Sequence, residues 1–439
     1  MPPLVLCILK IYKAKKVTNT ATVTAAGVPL TTADGMPLKA ALARAERRKR
    51  IKAFLLVMPL FIFIFFNFLY PIGLMLFRSV ENPLIAENMP LTVTELERWD
   101  GQGIPDEATF KALAADLKVA REKRTIGRLA TRLNYEQSGI RSVITRTGRK
   151  VKKIKGPPYK DQLVDINDAW GERETWTTIK RLGPTITTVN YLKAVDKKID
   201  VEGNIISTSE ERQIYMTLFK RTFWMSMTVT FATLLLGFPI AYLLANLPLR
   251  FSNLLMILVL LPFWTSLLVR TTSWIVLLQT QGVLNDIMVW IGIIDDQNRI
   301  QLIFNAEGTV IAMTQILLPF MVLPLYSVMK TISPSYMRAA QSMGAHRFLA
   351  YRRIYLPNTV PGIAAGSLLV FILAVGYYIT PALVGGQDGQ MISNIIAFHM
   401  QKSLNWGLAA ALGALLLAGV ITLFWLYNKM IGVDRLKFG

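Results

Sequence analysis

Small residues at fixed spacing lie in a basic loop between two apolar segments of the chain. The loop reads Arg338-Ala339-Ala340-Gln341-Ser342-Met343-Gly344-Ala345, and Ile354-Tyr355-Leu356-Pro357 follows it. The sequence predicts a short helix from Pro334 to Met343, followed by a tight turn that Gly344 permits. A second helical segment is predicted after the turn, and Pro357 is predicted to end it. The small side chains leave a shallow face, so this spacing favours binding to a groove of a partner protein. A basic amphipathic loop that lies on anionic lipid is the alternative interpretation.

A charged residue stands inside or near the end of an apolar segment. Arg270, with Thr271 beside it, occupies this position. A charge in such a segment is a functional candidate that needs a partner. The alternative is that Arg270 extends to the membrane interface beside Trp274.

Aromatic and hydroxyl side chains accompany prolines in two apolar segments. Trp264 and Thr265 follow one proline, while Tyr377 and Tyr378 precede Pro381. A proline inside a helix creates a kink that must face protein or a water-lined cavity, so these residues are candidates to line a translocation path. Their ring faces offer cation–π contacts to a cationic amine. An interfacial aromatic belt and ordinary helix packing are the alternatives.

The sequence lacks the patterns that carry catalysis. No G-x-x-x-x-G-K-[ST] phosphate loop occurs, so we expect this chain to take its energy from a separate protein. Neither an H-E-x-x-H motif nor paired carboxylates accompany His346 and His399, which we interpret as ordinary loop residues. The single cysteine, Cys7, allows no intrachain disulfide. We therefore predict no catalytic residue, no metal site and no cofactor in this chain, which is not itself an enzyme.

The composition and the length of the apolar stretches indicate a membrane protein. The chain has 439 residues, of which 52% are hydrophobic, and its mean hydropathy is +0.39. A helix of about 20 apolar residues spans the ~30 Å hydrocarbon core of a bilayer. Six stretches meet this requirement, namely Ala53–Phe77, Thr222–Ala245, Leu254–Gln279, Val310–Met329, Ile363–Val384 and Leu408–Lys429. The predicted fold class is an all-α polytopic membrane protein with six transmembrane helices.

The distribution of basic residues predicts the orientation of these helices. The formal net charge is +21, and a dense basic run precedes the first stretch, comprising Arg44, Arg47, Arg48, Lys49, Arg50 and Lys52. The loop from Lys330 to Pro361 is basic and contains no acid. Because positive residues favour the cytoplasmic side, both termini and this loop are predicted to be cytoplasmic. No aromatic-interleaved basic motif is present, so membrane topology explains the charge better than nucleic-acid binding does.

Four regions follow from this reading. Residues 1–52 form a basic cytoplasmic tail, residues 53–79 the first transmembrane helix, residues 80–221 a periplasmic insert, and residues 222–439 a core with five further helices and the loop 330–361. The insert is predicted to be a small α+β domain between the first two helices. It contains a helical pattern from Pro105 to Leu117, strand-like runs at Ser142–Thr145 and Thr185–Val189, and a charged loop at Lys150–Lys160.

The basic loop resembles the E-A-A…G…I-x-L-P loop of bacterial ABC importer permeases. The elements that match are Ala339, Ala340, Gly344, Ile354, Leu356 and Pro357, and Ala345 adjoins the glycine. Arg338 stands where the family has a glutamate. The positive charge of Arg338 would repel a basic partner surface. Either the partner is acidic at this point, or docking relies on the small and apolar residues of the loop.

A wider part of the chain, from Phe223 to Phe438, resembles the spermidine and putrescine branch of these permeases. Three stretches carry this resemblance, namely Gly237–Ala245, Leu261–Thr271 and Gly376–Gly386. The resemblance implies a multi-pass subunit of the bacterial inner membrane. It also implies that the loop 330–361 couples the subunit to a cytoplasmic ATPase. Permeases for iron, phosphonates and opines share much of the pattern, and the long insert departs from the simplest members.

The resemblance also implies partners for this chain. They are a cytoplasmic ABC ATPase dimer that binds ATP and Mg, a second and different permease subunit, a periplasmic solute-binding protein and membrane lipid, with no nucleic acid. A polyamine is the favoured solute, and an opine, a phosphonate or an iron complex is the alternative. A membrane sensor or scaffold with a ligand-binding periplasmic domain is a rival of a different class.

Overall fold

The computed structural model describes residues 38–431. The chain divides into two compact units, Met1–Leu74 and Met75–Gly439. Residues 1–37 of the predicted tail, together with the C-terminal Arg435 and Lys437, lie outside the described residues.

The described part of the first unit is helical. Helix α1 (Leu38–Ile64) continues through a π-helical turn (Phe65–Leu69) into α2 (Tyr70–Val80). The predicted tail therefore contributes helix as far as Lys52, because its alanines, arginines and lysines are strong helix formers. An exposed pair four residues apart, Glu46 and Arg50, adds a 3.5 Å contact on this helix. In the π-helical turn, the Asn67 side chain donates to the Phe63 carbonyl at 2.9 Å.

The insert is mostly helical. Its helices are α3 (Pro83–Asn88), α4 (Pro90–Arg98), α5 (Glu107–Glu122), α6 (Ile126–Asn134), α7 (Ile140–Lys150), α8 (Tyr159–Ile166), α9 (Arg173–Leu182) and α10 (Val189–Ala194). Strands β1 (Lys197–Ile199) and β2 (Ile205–Ser207) form an antiparallel hairpin in which Lys198 pairs with Ile206. The helix predicted from Pro105 to Leu117 is confirmed as α5.

The two strand predictions in the insert are wrong. Ser142–Thr145 lie within α7, where Ile140, Val143, Ile144 and Thr147 form one buried face. That spacing is helical, and burial of this face outweighs the β preference of the branched side chains. At Thr185–Val189, only Ile186 makes an isolated antiparallel bridge, with Glu81.

A separate hydrophobic core holds the insert together. Phe110, Trp170 and Trp176 are fully buried in it. The rings of Phe110 and Trp176 meet edge-on with centroids 4.7 Å apart. Trp170 donates its indole N–H to the Thr147 hydroxyl at 2.8 Å, and Trp176 donates to the Trp170 carbonyl at 2.9 Å. Both indoles are thus buried with their polar atoms satisfied.

Among the described residues, six helices are long and apolar enough to span a membrane, which is the predicted number, but the third is Leu267–Ile291 and not the predicted Leu254–Gln279. They are Ala45–Val80, Tyr215–Asn246, Leu267–Ile291, Ala306–Thr331, Arg347–Gly376 and Trp406–Lys429. In the second unit, the elements after the insert are α11 (Tyr215–Asn246), α12 (Leu249–Leu260), α13 (Leu267–Leu278), α14 (Val283–Ile291), α15 (Ala306–Thr331), α16 (Pro334–Ser342), α17 (Arg347–Ala350), α18 (Leu356–Gly376), α19 (Ile379–Val384), α20 (Ile392–Gln401) and α21 (Trp406–Ile431).

Two of the predicted stretches are not continuous helices. The third breaks after α12 into a 3-10 turn (Leu261–Trp264), and α13 begins after Ser266. Pro262 in that turn lacks an N–H, and the Ser266 hydroxyl accepts the Val269 N–H at 3.2 Å, so a new helix starts there. The predicted fifth stretch breaks at Tyr377 and Tyr378, between α18 and α19.

Glycines allow close packing of α11, α15 and α18. A Cβ atom built on Gly237 of α11 would lie 3.1 Å from Met321 of α15. A Cβ on Gly366 of α18 would lie 2.8 Å from the Met321 sulfur and 3.2 Å from its carbonyl oxygen. The fully buried Met321 therefore packs directly against the backbones of both helices at Gly237 and Gly366, where they carry no side chain.

We expect Gly366→Leu to destabilise the protein by about 1–3 kcal/mol, because the new side chain would overlap Met321 and its backbone. Thermal unfolding of the detergent-solubilised chain measures this. Gly419→Leu is the matched control, since Gly419 on α21 has nothing within 4 Å of its Cβ position. Equal unfolding temperatures for both variants would contradict the packing described here.

Candidate functional site

The predicted short helix and turn of the basic loop are confirmed. Helix α16 begins with Pro334 after Ser333, whose hydroxyl accepts the Ser335 N–H at 3.3 Å. Gly344 has φ +91° directly after the helix. The Gly344 N–H donates to the Gln341 carbonyl at 3.0 Å, and the Ala345 N–H donates to the Ala340 carbonyl at 3.1 Å. This arrangement ends a helix at a left-handed glycine and satisfies its last carbonyls.

The prediction that Pro357 ends the second helical segment is wrong. Helix α17 continues through a π-helical turn (Tyr351–Tyr355) into α18, and Pro357 lies in the first turn of α18. Ile354 lies in the π-helical turn, and Leu356 is the first residue of α18. A proline is accommodated where the wider turn meets the helix, because its missing N–H is not needed at that position. The loop is thus continuous with a spanning helix.

The exposed face of the loop is more apolar than the sequence reading indicated. Ala339 and Gly344 are exposed as expected, but Ala340 faces the interior and is 3% exposed. Three large side chains that the sequence reading missed point outward, namely Tyr336 at 55%, Met343 at 80% and Phe348 at 67% exposure. Tyr336, Ala339 and Met343 are three and four residues apart, so they share one side of α16 and its end. That spacing was a signal available in the sequence.

Charge on the loop is uniformly positive. Arg338, Arg347, Arg352 and Arg353 are all exposed. Arg338 adjoins the outward-facing Ala339, so a partner that covers this face meets a cation where the family motif has an anion.

Three tyrosines connect the loop to α11. The ring of Tyr242 on α11 lies edge-on to Tyr355 and Tyr351, with centroids 5.4 and 6.0 Å away. Tyr351 and Tyr355 stack on each other at 5.5 Å, and Tyr355 is 6% exposed. Lys330 donates to the Ala245 carbonyl near the end of α11 at 3.2 Å. These contacts join the loop to a spanning helix.

Arg270 has backbone partners at the break between α12 and α13. Its guanidinium donates to the Pro262 carbonyl, to the Thr265 carbonyl at 3.0 Å and to the Thr265 hydroxyl at 3.4 Å. These bonds satisfy carbonyls that the helix break leaves free. Trp274, beside which the alternative interpretation places Arg270 at an interface, donates to Gln315 at 3.1 Å.

The break at Tyr377 and Tyr378 has partners from a more distant element. Ser393 and Asn394, in the first turn of α20, donate to the Tyr377 carbonyl at 2.5 Å and the Tyr378 carbonyl at 2.8 Å. The aromatic ring of Tyr378 remains 41% exposed. Nothing in the local sequence pairs these two segments, so the sequence reading did not find Ser393 or Asn394.

The structure brings some of the predicted path residues together. Thr271 on α13 is buried, and its hydroxyl lies 3.4 Å from that of Thr380 on α19, next to the buried Pro381. Arg270 and Thr265 meet through the hydrogen bonds already described. Trp264, by contrast, is 77% exposed, so in this chain its ring lies open to lipid or to a partner.

No metal centre is formed by the part of the chain that the structure describes, where no three His, Cys, Asp or Glu side chains cluster. His346 is the exposed residue that precedes α17, and His399 lies in α20 rather than in a loop. His399 contacts the Tyr215 hydroxyl at 3.0 Å and the Ser403 hydroxyl at 2.9 Å. Both of its ring nitrogens therefore have protein partners.

Comparisons with known proteins identify similarity over the second half of the chain. The family described as "Binding-protein-dependent transport system inner membrane component" matches residues 219–430. The spermidine/putrescine transport system permease protein PotB of Escherichia coli K12 is 34% identical over 221 residues, which cover 50% of this chain and 80% of that protein. PotB of Haemophilus influenzae is 33% identical over 234 residues, which cover 52% and 81%.

A solved structure of a bacterial ABC transporter involved in the import of the acidic polysaccharide alginate is also similar. It has a TM-score of 0.42 and 23% identity, and the match covers 53% of this chain and 82% of that chain. The insert, up to Ile214, lies outside the residues that the family matches.

We expect Gly344→Ala to loosen the turn after α16, since a left-handed backbone costs a residue with a Cβ about 1–2 kcal/mol. No atom lies within 4 Å of the Gly344 Cβ position, so this effect is purely conformational. Amide hydrogen exchange of the loop measures it and should become faster. Gly419→Ala, in open space within a helix, should leave exchange unchanged, and unchanged exchange in both variants would refute the positive φ at Gly344.

Proposed function

The chain belongs to the family of binding-protein-dependent transport system inner membrane components, and we propose that it forms half of the translocation path of an ATP-driven polyamine importer. It is a permease subunit and not itself an enzyme. The observation that carries the proposal is the 34% identity to a spermidine/putrescine permease over 80% of that protein. Its partners would be a cytoplasmic ATPase dimer that binds ATP and Mg, a second and different permease, and a periplasmic solute-binding protein.

The orientation follows from the charge of the loops. Arg338, Arg347, Arg352 and Arg353 are exposed on a loop that contains no acid, which supports a cytoplasmic position. The insert would then lie in the periplasm, where a binding protein delivers the solute. The ATPase would meet the side of the loop that presents Ala339 and Gly344.

Coupling would depend on apolar contact more than on charge. Tyr336, Met343 and Phe348 are exposed side chains that fit a partner's groove, and the shallow surface at Ala339 and Gly344 lies among them. Aromatic residues, Met and Arg are enriched at protein interfaces, where a few residues supply most of the binding energy. Arg338 would select a partner with an acidic residue at this point. Movement of the bound loop would reach α11 through the Tyr242, Tyr351 and Tyr355 rings.

The solute would pass the two helix breaks. Trp264, Thr265, Arg270 and Thr271 belong to the first break or to the start of α13, and Tyr377, Tyr378 and Pro381 belong to the second or to α19. The chain has no acid between Tyr215 and Asn285, nor between Gly308 and Gln387. A polyamine would therefore contact ring faces and carbonyl oxygens of this subunit, and carboxylates would have to come from the other permease.

A second candidate solute is favoured by Arg270. Arg270 is the charged side chain at the first break. A cation at this position attracts a carboxylate or phosphonate group and repels a protonated amine. An opine or phosphonate importer is therefore the alternative. An ATPase assay of the purified complex with its binding protein separates the two. Stimulation by spermidine or putrescine supports the polyamine proposal, and stimulation only by an opine, a phosphonate or an iron complex overturns it.

We expect the double variant Met343→Ala, Phe348→Ala to lose the ATPase subunit on mild-detergent purification, because it removes two exposed apolar contacts from the coupling face. Quantitative mass spectrometry of the tagged chain measures the ratio of ATPase to permease. Trp290→Ala is the control, because this ring is 87% exposed on α14 and lies outside the loop. Unchanged ATPase recovery in the double variant would rule out this face, and recovery of a signalling protein instead of an ATPase would favour the sensor interpretation.

We expect Tyr378→Ala to weaken polyamine uptake about tenfold, whereas Tyr378→Phe keeps the ring face and most of the uptake, since a desolvated cation–π contact is worth up to about 2 kcal/mol. Uptake of radiolabelled spermidine at varied concentration gives the KM of each variant. Equal KM values for the alanine and phenylalanine variants would show that the ring does not contact the solute.

A further inference from the structure

A groove of about 660 Å³ runs along helix α7 of the insert. The residues that line it come from this helix and from the glycine before it, namely Gly139, Arg141, Ser142, Thr145, Arg146, Arg149 and Lys150. The four cations among them are exposed, and none of the described residues that line the groove is an acid. Neither the coupling loop nor the two helix breaks include any of these residues.

The helical period places the cations on one side of α7. Two rows of residues with a spacing of four form this side, Arg141-Thr145-Arg149 and Ser142-Arg146-Lys150. The opposite side is buried in the core of the insert through Ile140, Val143 and Ile144. The apolar residues of α7 are thus used for folding, and the face that lines the groove is entirely polar.

The positive charge of this face is not neutralised within the chain. Eight lysines and arginines and no acid occur in residues 137–160. Among the described residues, no carboxylate lies within ion-pair distance of any of the four groove cations. The Ser142 hydroxyl donates to the Gly139 carbonyl at 2.8 Å. The Thr145 hydroxyl donates to the Arg141 carbonyl at 2.7 Å, so guanidinium and ammonium groups are the donors that remain for a ligand.

The start of α7 is tied to the permease core. The Tyr135 hydroxyl donates to the Ser403 carbonyl, which belongs to the core. Next to this tyrosine, the Asn134 side chain accepts the Gly139 N–H at 3.0 Å and the Arg141 N–H at 3.4 Å. The groove therefore begins close to the segment that leads into the last spanning helix.

An aromatic ring and a cation mark the end of the spanning helices at this place. Trp406 is the first residue of the last spanning helix, and it follows Ser403 by three residues. The Arg78 guanidinium, near the end of the spanning helix Ala45–Val80, lies 5.9 Å from the centre of the Trp406 ring. Tryptophan and arginine with this placement are typical of the membrane interface. The start of α7 is thus held near the level of the lipid headgroups.

The chemistry of the groove favours lipid over a protein partner. The centre of a protein interface is depleted of charged residues and enriched in aromatic residues and methionine, which supply much of the binding energy. The groove contains no residue of that kind among those that line it. A polybasic surface without apolar side chains binds instead to an anionic lipid surface, where each lysine or arginine adds to the attraction. Guanidinium groups also match the geometry of phosphate oxygens.

We propose that the outward face of α7 binds the phosphate groups of anionic phospholipids at the surface of the bilayer that the permease core spans. The exposed Lys152, Lys153 and Lys155 extend the positive surface beyond the end of the helix. This contact holds the insert against the membrane at a second place, in addition to its polar contacts with the core. It depends neither on the identity of the transported solute nor on the side of the membrane on which the insert lies.

Chemical footprinting of arginine side chains with phenylglyoxal tests this contact on the full chain in nanodiscs. One nanodisc preparation contains phosphatidylcholine alone, and the other also contains phosphatidylglycerol. We expect labelling of Arg146 and Arg149 to be about fivefold slower with phosphatidylglycerol, the factor that one cation near an anionic lipid surface contributes to binding. High salt should remove the protection, because exposed charges are screened. Arg98 on α4, whose side chain is 74% exposed outside the groove, is the internal control and should be labelled equally in both preparations.

A double variant, Arg146→Gln with Arg149→Gln, tests the same contact by native mass spectrometry of bound lipid. It should lose bound phosphatidylglycerol relative to the wild-type chain. The matched control is Arg98→Gln with Lys111→Gln, which removes the same charge from exposed positions outside the groove and should keep the wild-type level. Glutamine is a good helix former, so both variants should fold, and circular dichroism and gel filtration check this.

The proposal fails if Arg146 and Arg149 are labelled equally in both nanodisc preparations, or if the two double variants retain equal phosphatidylglycerol. Equal protection by inorganic phosphate in phosphatidylcholine nanodiscs would replace the lipid with a free anion. Protection that requires the solute-binding protein and is independent of phosphatidylglycerol would replace the lipid with a protein surface. None of these measurements depends on ATP hydrolysis, so the transport function is tested separately.

Discussion

The requirement that backbone polar groups be satisfied within a membrane is the constraint on which the permease core depends. A continuous helix meets it without help, but the core contains interrupted helices, with breaks at Pro262–Ser266 and at Tyr377–Tyr378 among them. Arg270 donates to the free carbonyls of the first break, and Ser393 and Asn394 donate to those of the second. Interrupted helices are stable here because side chains replace the missing helical hydrogen bonds.

Close packing gives the core the stiffness that coupling needs. Gly237 and Gly366 let α11 and α18 approach Met321 of α15 without intervening side chains. The loop joins this packed unit at both ends, since α15 leads into it and α18 continues from it. The Tyr242 contacts with Tyr351 and Tyr355 add a lateral connection. A close-packed interior has few voids that absorb displacement, so under the proposed function movement at the loop would be transmitted to the spanning helices.

The insert is a helical domain with a core of its own, and it is joined to the permease core by specific polar contacts. Asp196 caps α11, and Asn190 donates to the Ser79 carbonyl at 2.9 Å.

Local features of the sequence determined the number of spanning helices, the α16 helix and the turn at Gly344, because apolar length, a helix-starting proline and a left-handed glycine each act within a few residues. Tertiary structure decided the partners of Tyr377 and Tyr378, since Ser393 and Asn394 come from another helix. The partners of Arg270 are close in the chain, at Pro262 and Thr265, but they become free only where the helix breaks. Tertiary structure also decided that Ser142–Thr145 form helix, because burial of one face outweighs the local strand preference.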